Sequence, residues 1–283
     1  MITKLQNARI YDPINRINGK IRDLYIKNNK IIDKPERGEK ISKVINLKNK
    51  IIMAGGIDIH SHIAGGKVNL ARLLLPEEHR KYLYSSSDKL RSGSGLGTCS
   101  SFHIGYKYAK LGYTAVFEPA TLPSNARSTI IEMSDIPFID KGTYTVLSND
   151  DFLLKLIQKK SNQKKINDYV AWILQSTKGF GIKIVNPGGI NAFKFNQREL
   201  DLDEKNRKYD ITPRSILKVL TKSLIDLKAP HPIHVHGCNL GVPGNVKTTV
   251  KQINAVEGQP MHLTHIIHMI IKVIEIFLQE QIF

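Results

Sequence analysis

The segment GGIDIHSH, residues 55–62, decides the fold of this chain of 283 residues. The apolar run Ile51–Ile59 ends in two histidines, His60 and His62, that are separated by one residue. Because side chains alternate between the two faces of a strand, both histidines lie on one face, about 7 Å apart along the backbone. Two imidazoles in this arrangement can hold one metal ion. The pattern therefore predicts a strand that ends in two histidines able to share one metal ion.

Beyond this segment, short apolar runs that end in Gly, Pro, Asn or His alternate with longer helical stretches. This alternation is typical of the βα units of a parallel sheet or barrel. We predict six strands, at Ile51–Ile59, Tyr113–Phe117, Tyr144–Leu147, Gly181–Val185, Pro232–Val235 and Met261–Ile266. We predict helices at Phe102–Leu111, Asn125–Met133, Asp151–Lys160, Asp168–Ser176 and Thr212–Lys228, the last with Thr212 as its cap and Pro213 at its first position.

Three histidine pairs fall at the predicted strand ends: His60 and His62, His234 and His236, and His262 and His265. In a parallel barrel the carboxyl ends of the strands converge on one mouth, where ligands from different strands meet. A single pair is compatible with ordinary polar or surface histidines, whereas three pairs favour a shared site. Several His with few Cys are typical of a catalytic rather than a structural zinc. His79 and His103, in helical segments, and His231, before a proline, are predicted not to bind metal.

The composition narrows the class of protein. The net charge is +17, but the lysines are spread over the whole chain, with one dense run at residues 155–165, so we expect no nucleic-acid partner. The apolar stretch Leu263–Phe277 contains Lys272 and Glu275 and is shorter than the roughly 20 residues of a membrane span. Two distant cysteines predict no disulfide framework. With no apolar leader at the N-terminus, we expect a cytoplasmic protein that is not associated with a membrane.

Six stretches of the sequence carry a resemblance to a known family. GGIDIHSH resembles the first barrel strand of the amidohydrolase superfamily. The more specific stretches resemble the A subunit of formylmethanofuran dehydrogenase and of the related formyltransferase/hydrolase complex. They are HSHIAGGKVNLARLLLPEEHR (60–80), GYTAVFEPATLP (112–123), KGFGIKIVNPGGINAFKF (178–195), HPIHVHGCNLGVPGN (231–245) and GQPMHLTHI (258–266).

The resemblance implies an α/β fold with three parts. Residues 1–50 would form a small N-terminal β module, part of a composite β-sandwich. Residues 51–266 would form an incomplete barrel of the (β/α)8 type found in metal-dependent hydrolases, with about six strands. Residues 267–283 are an atypical apolar tail.

The resemblance also implies a site with two zinc ions bridged by a carboxylated Lys183. His60 and His62 would bind one ion, and His236 and His265 the other. His234 and His262 remain the alternative ligands because the register of each pair is not fixed by the sequence. Substrate contacts are placed at Lys67, Asn69 and Asn239. The implied chemistry is to form or hydrolyse the formamide bond between formate and methanofuran, together with other subunits of the complex.

The end of the chain departs from the family pattern. The 17 residues after Ile266 are too few for two further βα units of roughly 30 residues each. The family's acid/base, an Asp on the eighth strand, is therefore expected to be absent, and with it most of the activity. We expect a truncated reading frame rather than an evolved short form, because an unpaired strand edge promotes aggregation. The alternatives are a cyclic amidohydrolase such as a hydantoinase or dihydroorotase, or an inactive assembly module.

Overall fold

The computed structural model describes residues 1–75, 77, 101–239 and 245–266. It divides into two compact units, Met1–Gly56 and Ile57–Phe283. The tail 267–283 and His79 lie outside the described residues. Each unit is built around its own sheet.

The first unit contains a five-stranded sheet, which confirms the predicted N-terminal β module. Its central strand β1 pairs antiparallel with β2 and parallel with β4 and β5. β1 has a register shift between Leu5 and Ala8, and Ile2, Ala8 and Ile10 of this strand are buried. The strands are β1 (Ile2–Asp12), β2 (Ile17–Lys27), β3 (Lys30–Ile32), β4 (Ile41–Asn46) and β5 (Ile51–Met53).

The prediction of one strand over Ile51–Ile59 is wrong. Residues 51–53 form β5, which pairs with β1, and β6 (Gly56–Asp58) begins the second sheet. The change of sheet occurs at residues 54 and 55, and the compact units divide after Gly56 rather than near residue 50. The local apolar pattern runs through both strands because each is partly buried, and only the long-range pairing of β5 with β1 separates them. His60 and His62 consequently lie just beyond β6 and not within a strand.

The second unit contains a curled six-stranded sheet whose strands lie side by side in chain order, from β6 to β11. Neighbouring strands from β7 to β11 are parallel, as in an incomplete barrel of the amidohydrolase type. After β6 the strands are β7 (Tyr113–Thr121), β8 (Asp140–Val146), β9 (Gly181–Val185), β10 (Ile233–His236) and β11 (Met261–Leu263). The described helices are α1 (Gly66–Leu73), α2 (Phe102–Lys110), α3 (Ala126–Ser134), α4 (Asp151–Gln158), α5 (Gln163–Thr177), α6 (Gly189–Lys194), α7 (Pro213–Asp226) and α8 (Val246–Ala255).

Two details of this unit reflect local chemistry. Thr212 caps α7 by accepting a hydrogen bond from the Ser215 backbone N–H at 3.2 Å, with Pro213 next to the cap, as predicted. β7 extends four residues past its predicted end at Phe117 because a register shift between Glu118 and Thr121 accommodates Pro119 inside the strand.

The helix-facing side of the sheet is apolar. Ile182 and Ile184 of β9 and Ile233 and Val235 of β10 pack into one buried cluster with side chains of α4, α5 and α7. Because side chains alternate along a strand, Lys183 and the histidines of β10 lie on the opposite side, towards the interior of the curled sheet. The fold therefore positions polar groups on the concave face. In the part of the chain that the structure describes, no helix is long and apolar enough to cross a membrane.

Candidate metal centre

Five of the histidines singled out in the sequence are connected by direct ring contacts. The ring centroid of His60 lies 5.6 Å from that of His62, 5.0 Å from that of His234 and 4.8 Å from that of His265. His236 joins the group through His265, at 5.0 Å. The loop after β6 and the ends of β10 and β11 therefore bring these imidazoles to one place.

Strand register adds Lys183 and His262 to this group. His234 of β10 is the direct partner of Lys183 on β9 and of His262 on β11. The rings of His234 and His262 stack with centroids 4.4 Å apart. Both histidines of each strand pair thus belong to one cluster, and the selection of His236 and His265 over His234 and His262 stays a prediction.

Lys183 is the most deeply placed charged group of the cluster, with 2% of its surface exposed. Its Nζ donates a hydrogen bond to Thr264 Oγ1 at 3.2 Å, and the Thr264 hydroxyl donates to the carbonyl of Val235. Burial disfavours the ammonium form and lowers the pKa of Lys183 from 10.5 to about 7. A large fraction of this lysine is therefore a neutral amine at neutral pH.

Burial, complete for His234 and partial for His60 and His262, also keeps these histidines uncharged. Burial, followed by the charge of Lys183, lowers the pKa of His60 to about 3. The same two causes, in the same order, lower the pKa of His234 still further, and burial lowers that of His262. Neutral imidazole is the form that binds metal ions.

The arrangement of the nitrogens determines whether a metal would fit. As the side chains stand, no group of three or more His, Cys, Asp or Glu among the described residues is arranged to hold a metal ion. His60 Nδ1 instead lies 2.7 Å from His234 Nε2, so the two rings share a hydrogen bond. Within the same part of the chain, His60 Nε2 and His234 Nδ1 are buried without a hydrogen-bond partner. Unpartnered buried nitrogens are costly, and this donor set fits zinc once the shared hydrogen bond is broken.

Sequence reasoning assigned no role to Glu118, although it lies within the quoted stretch GYTAVFEPATLP. Its side chain is buried in β7 and contacts His62 Nδ1 at 3.0 Å. A carboxylate among apolar residues in the interior of a strand was the available indication, since such groups are buried only with partners.

The three predicted substrate residues occupy different surroundings. Lys67 is exposed on α1 and lines a cavity of about 620 Å³ together with His62. Asn69 donates to Glu132 and accepts from Arg72, so both ends of its amide are engaged within the protein. Asn239 has a φ of 51° and accepts a hydrogen bond from the Leu200 N–H. Their contacts with substrate stay predictions.

From the sequence, His103 and His231 are predicted not to bind metal. His103 is buried in α2 and lines the same cavity as His62. His231 lies outside the strands and helices, before β10, as predicted. It makes ring contacts with His234 and His262, with centroid distances of 5.5 and 6.0 Å.

Histidines at or just beyond the first, fifth and sixth strands of the curled sheet, around a buried lysine on the fourth strand, fit the barrel fold of a metal-dependent hydrolase. The chain belongs to the amidohydrolase family, whose family model matches residues 43–269.

Two characterised relatives are similar over most of this chain. Protein FwdA of Methanocaldococcus jannaschii is 40% identical over 254 residues, which are 90% of this chain and 44% of that protein. The A subunit of the formyltransferase/hydrolase complex Fhc of Methylorubrum extorquens is 36% identical over 265 residues, 94% of this chain and 47% of that protein. The crystal structure of FhcABCD from that organism, in complex with methylofuran, matches with a TM-score of 0.82 over 93% of this chain and 47% of that chain. The chain thus spans less than half the length of these relatives.

Proposed function

We propose that this chain carries the metal-binding residues of an amidohydrolase that forms or hydrolyses the formamide bond between formate and the amine of a methanofuran-type carrier. The observation that carries this proposal is Lys183, a buried lysine with a lowered pKa among neutral histidines. The similarity to a chain of a complex that was crystallised with methylofuran supports the substrate class. The same similarity supports assembly with partner subunits of such a complex, and we propose that this assembly is cytoplasmic.

The proposed site holds two zinc ions. His60 and His62 would bind one ion, His236 and His265 the other, and a carboxylated Lys183 would bridge them. Carboxylation forms a bond between Nζ and the carbon of CO2 and releases one proton, which requires the neutral amine. The burial that lowers the pKa of Lys183 to about 7 supplies that form.

Each group of the chain has a separate task in this proposal. The bound zinc ions would lower the pKa of water and polarise the carbonyl of the formamide. The low pKa of His60 keeps its imidazole available as a ligand throughout the physiological pH range. The cavity beside His62 provides room for a bound molecule next to the histidine cluster.

Zinc stoichiometry with and without Lys183 tests the proposal. Metal-free protein would be titrated with zinc in the presence of 13C-bicarbonate, and bound metal and carbamate would be measured by elemental analysis and 13C NMR. We expect two zinc ions and one carbamate signal in the wild type, and loss of the carbamate with at least one zinc in Lys183→Met. Lys155→Met, which removes an exposed lysine of α4, is the matched control. A wild-type chain that binds no zinc, or a carbamate that survives in Lys183→Met, would contradict the proposal.

Formate release from formylated methanofuran is the second measurement. It distinguishes the proposed substrate from a cyclic amide such as a hydantoin. Hydrolysis of the cyclic amide alone would assign the chain to the cyclic amidohydrolases.

A further inference from the structure

Two buried carboxylates bind the loop that carries His62. Glu118 accepts hydrogen bonds from the backbone N–H groups of Ile63 and Ala64, and Glu132 accepts one from that of Gly65. Three consecutive backbone donors after His62 are therefore bound to two acidic side chains. Of the two carboxylates, Glu118 also contacts the His62 ring.

We propose that Glu118 is a positioning residue, which fixes the ring and the proton of His62 so that Nε2 is the nitrogen presented to a metal ion. The inference rests on the proposed function in that it treats His62 as a ligand. It concerns a residue that does not itself touch metal or substrate.

The carboxylate of Glu118 is saturated with donors. Oε1 lies 3.0 Å from His62 Nδ1 and accepts from the Ala120 N–H at 3.0 Å. Oε2 accepts from Ile63 N–H at 2.7 Å and Ala64 N–H at 3.2 Å. An ionised carboxylate only accepts hydrogen bonds, so the short contact requires the proton of the imidazole to be on Nδ1. In the neutral imidazole, Nε2 then keeps its lone pair.

Burial makes this arrangement rigid. Glu118 has 1% of its surface exposed, whereas the side chain of His62 is 51% exposed. Rotation of the carboxylate away from the loop would leave the buried backbone donors of Ile63 and Ala64 without partners, which is unfavourable. The protein therefore orients a half-exposed ring through a buried anchor. Carboxylates that orient ligating histidines in this way typically account for about 10- to 100-fold in metal affinity.

The Glu118→Gln substitution tests the positioning role through the tautomer of His62. The amide oxygen of Glu118→Gln can replace Oε2 and accept from the two backbone groups of Ile63 and Ala64. The amide nitrogen then faces His62 Nδ1 and the Ala120 N–H. It donates to Nδ1, which moves the imidazole proton to Nε2, and it leaves the Ala120 N–H without an acceptor. The substitution changes little in volume but reverses the tautomer of His62.

Glu132→Gln is the matched control. Glu132 is bound to the same loop through Gly65 and is ion-paired with the buried Arg72, but the contacts described for it do not include His62. Its substitution is expected to destabilise the loop without changing the tautomer of His62. The comparison separates a role in positioning the ring from a general role in loop stability.

The experiment uses the metal-free full chain labelled with 15N histidine. Long-range 15N–1H spectra report the tautomer of each ring, and the His62→Gln variant assigns the His62 signals. We expect the Nδ1–H tautomer in the wild type and in Glu132→Gln, and the Nε2–H tautomer in Glu118→Gln. If Glu118→Gln does not fold, the wild-type spectrum still decides, because an Nε2–H tautomer there would overturn the inference.

Zinc affinity, measured by competition with a chromophoric chelator, is the second readout. We expect zinc to bind Glu118→Gln about 10- to 100-fold more weakly than the wild type. If folded Glu118→Gln binds zinc with wild-type affinity, the positioning role of Glu118 is contradicted, but the proposed function is not. Absence of zinc binding by the wild type would contradict the proposed function, and the tautomer measurement would remain a test of the His62 anchor.

Discussion

The buried Lys183 couples the stability of the second unit to pH. Its pKa is about 7 in the folded chain and 10.5 for an unperturbed lysine, so between these values the unfolded chain binds one more proton than the folded chain. The free energy of unfolding therefore rises with pH across this window, by up to about 1.4 kcal/mol per pH unit. We predict that Lys183→Met removes this slope between about pH 7 and 9, because methionine does not titrate.

Urea unfolding of metal-free protein at about pH 7, 8 and 9 would measure the difference. The exposed lysine control, Lys155→Met, should keep the slope of the wild type. Parallel pH dependence of the wild type and Lys183→Met would show that the lysine is protonated in the folded chain. That result would also remove the basis for its carboxylation at neutral pH.

The half-buried His60 and the buried His234 affect stability in a lower pH range. His60 has a pKa of about 3 in the folded chain and His234 also has a lowered pKa, against 6.5 for an unperturbed histidine. Below pH 6.5 the unfolded chain therefore binds protons that the folded chain does not, and stability is lost as the pH falls.

We predict that His234→Phe weakens this acid sensitivity, because the phenyl ring retains stacking with Tyr144 and carries no proton. Denaturation midpoints at about pH 4.5, 5.5 and 6.5 would test it. An unchanged loss of stability across this range would show that other groups control the acid response.

At the level of elements, the loop between β6 and α1 depends on one glycine. Gly65 has φ 97° and ψ 169°, a region of backbone space that is essentially restricted to glycine. A Cβ at this position would lie 2.8 Å from Thr129 Oγ1, which is itself bonded to the carbonyl of Asn125. We predict that Gly65→Ala lowers the free energy of unfolding by about 1–3 kcal/mol and weakens zinc binding through the displaced loop.

Gly112→Ala is the control for this substitution. Gly112 also has a positive φ, of 83°, but a Cβ there would meet no atom within 4 Å. Gly112→Ala should lower the free energy of unfolding by about 1 kcal/mol and leave zinc affinity unchanged. Equal effects of the two substitutions on zinc affinity would show that the loop at Gly65 does not position ligands.

The elements also show how far sequence patterns determine structure. α2 and α7 lie within two residues of their predicted bounds because apolar spacing, and in α7 the Thr212 cap, are local properties. The sequence pattern predicted β5 and β6 as one strand because only the pairing of β5 with β1, which is distant in the sequence, separates them. α5 begins at Gln163, five residues before its predicted start, because the side chain of Asn162 caps it by accepting from Lys165 N–H.

For the whole molecule, the spacing of histidines and strands was sufficient to predict the concave cluster. His234 and His262, the alternative ligands, could be placed at neighbouring strands because parallel strands carry their ends to one edge, whereas Lys183 was placed in the site by the family resemblance. The contacts of Glu118 and the hydrogen bond between His60 and His234 could not be predicted. They depend on side-chain orientation and on a loop conformation, and neither is encoded in periodicity.

The division into two compact units leads to the last prediction. All the proposed ligands follow Gly56 in the sequence and belong to the second unit. A ligand that binds only the folded state stabilises it by about 2.7 kcal/mol at a free concentration roughly 100 times its Kd. We expect zinc to slow amide hydrogen exchange at the ends of β9 and β10 and in the loop after β6, while exchange in β1–β4 stays unchanged. Mass spectrometry with and without zinc would measure this, and equal protection of both units would show that metal binding is not confined to the histidine cluster.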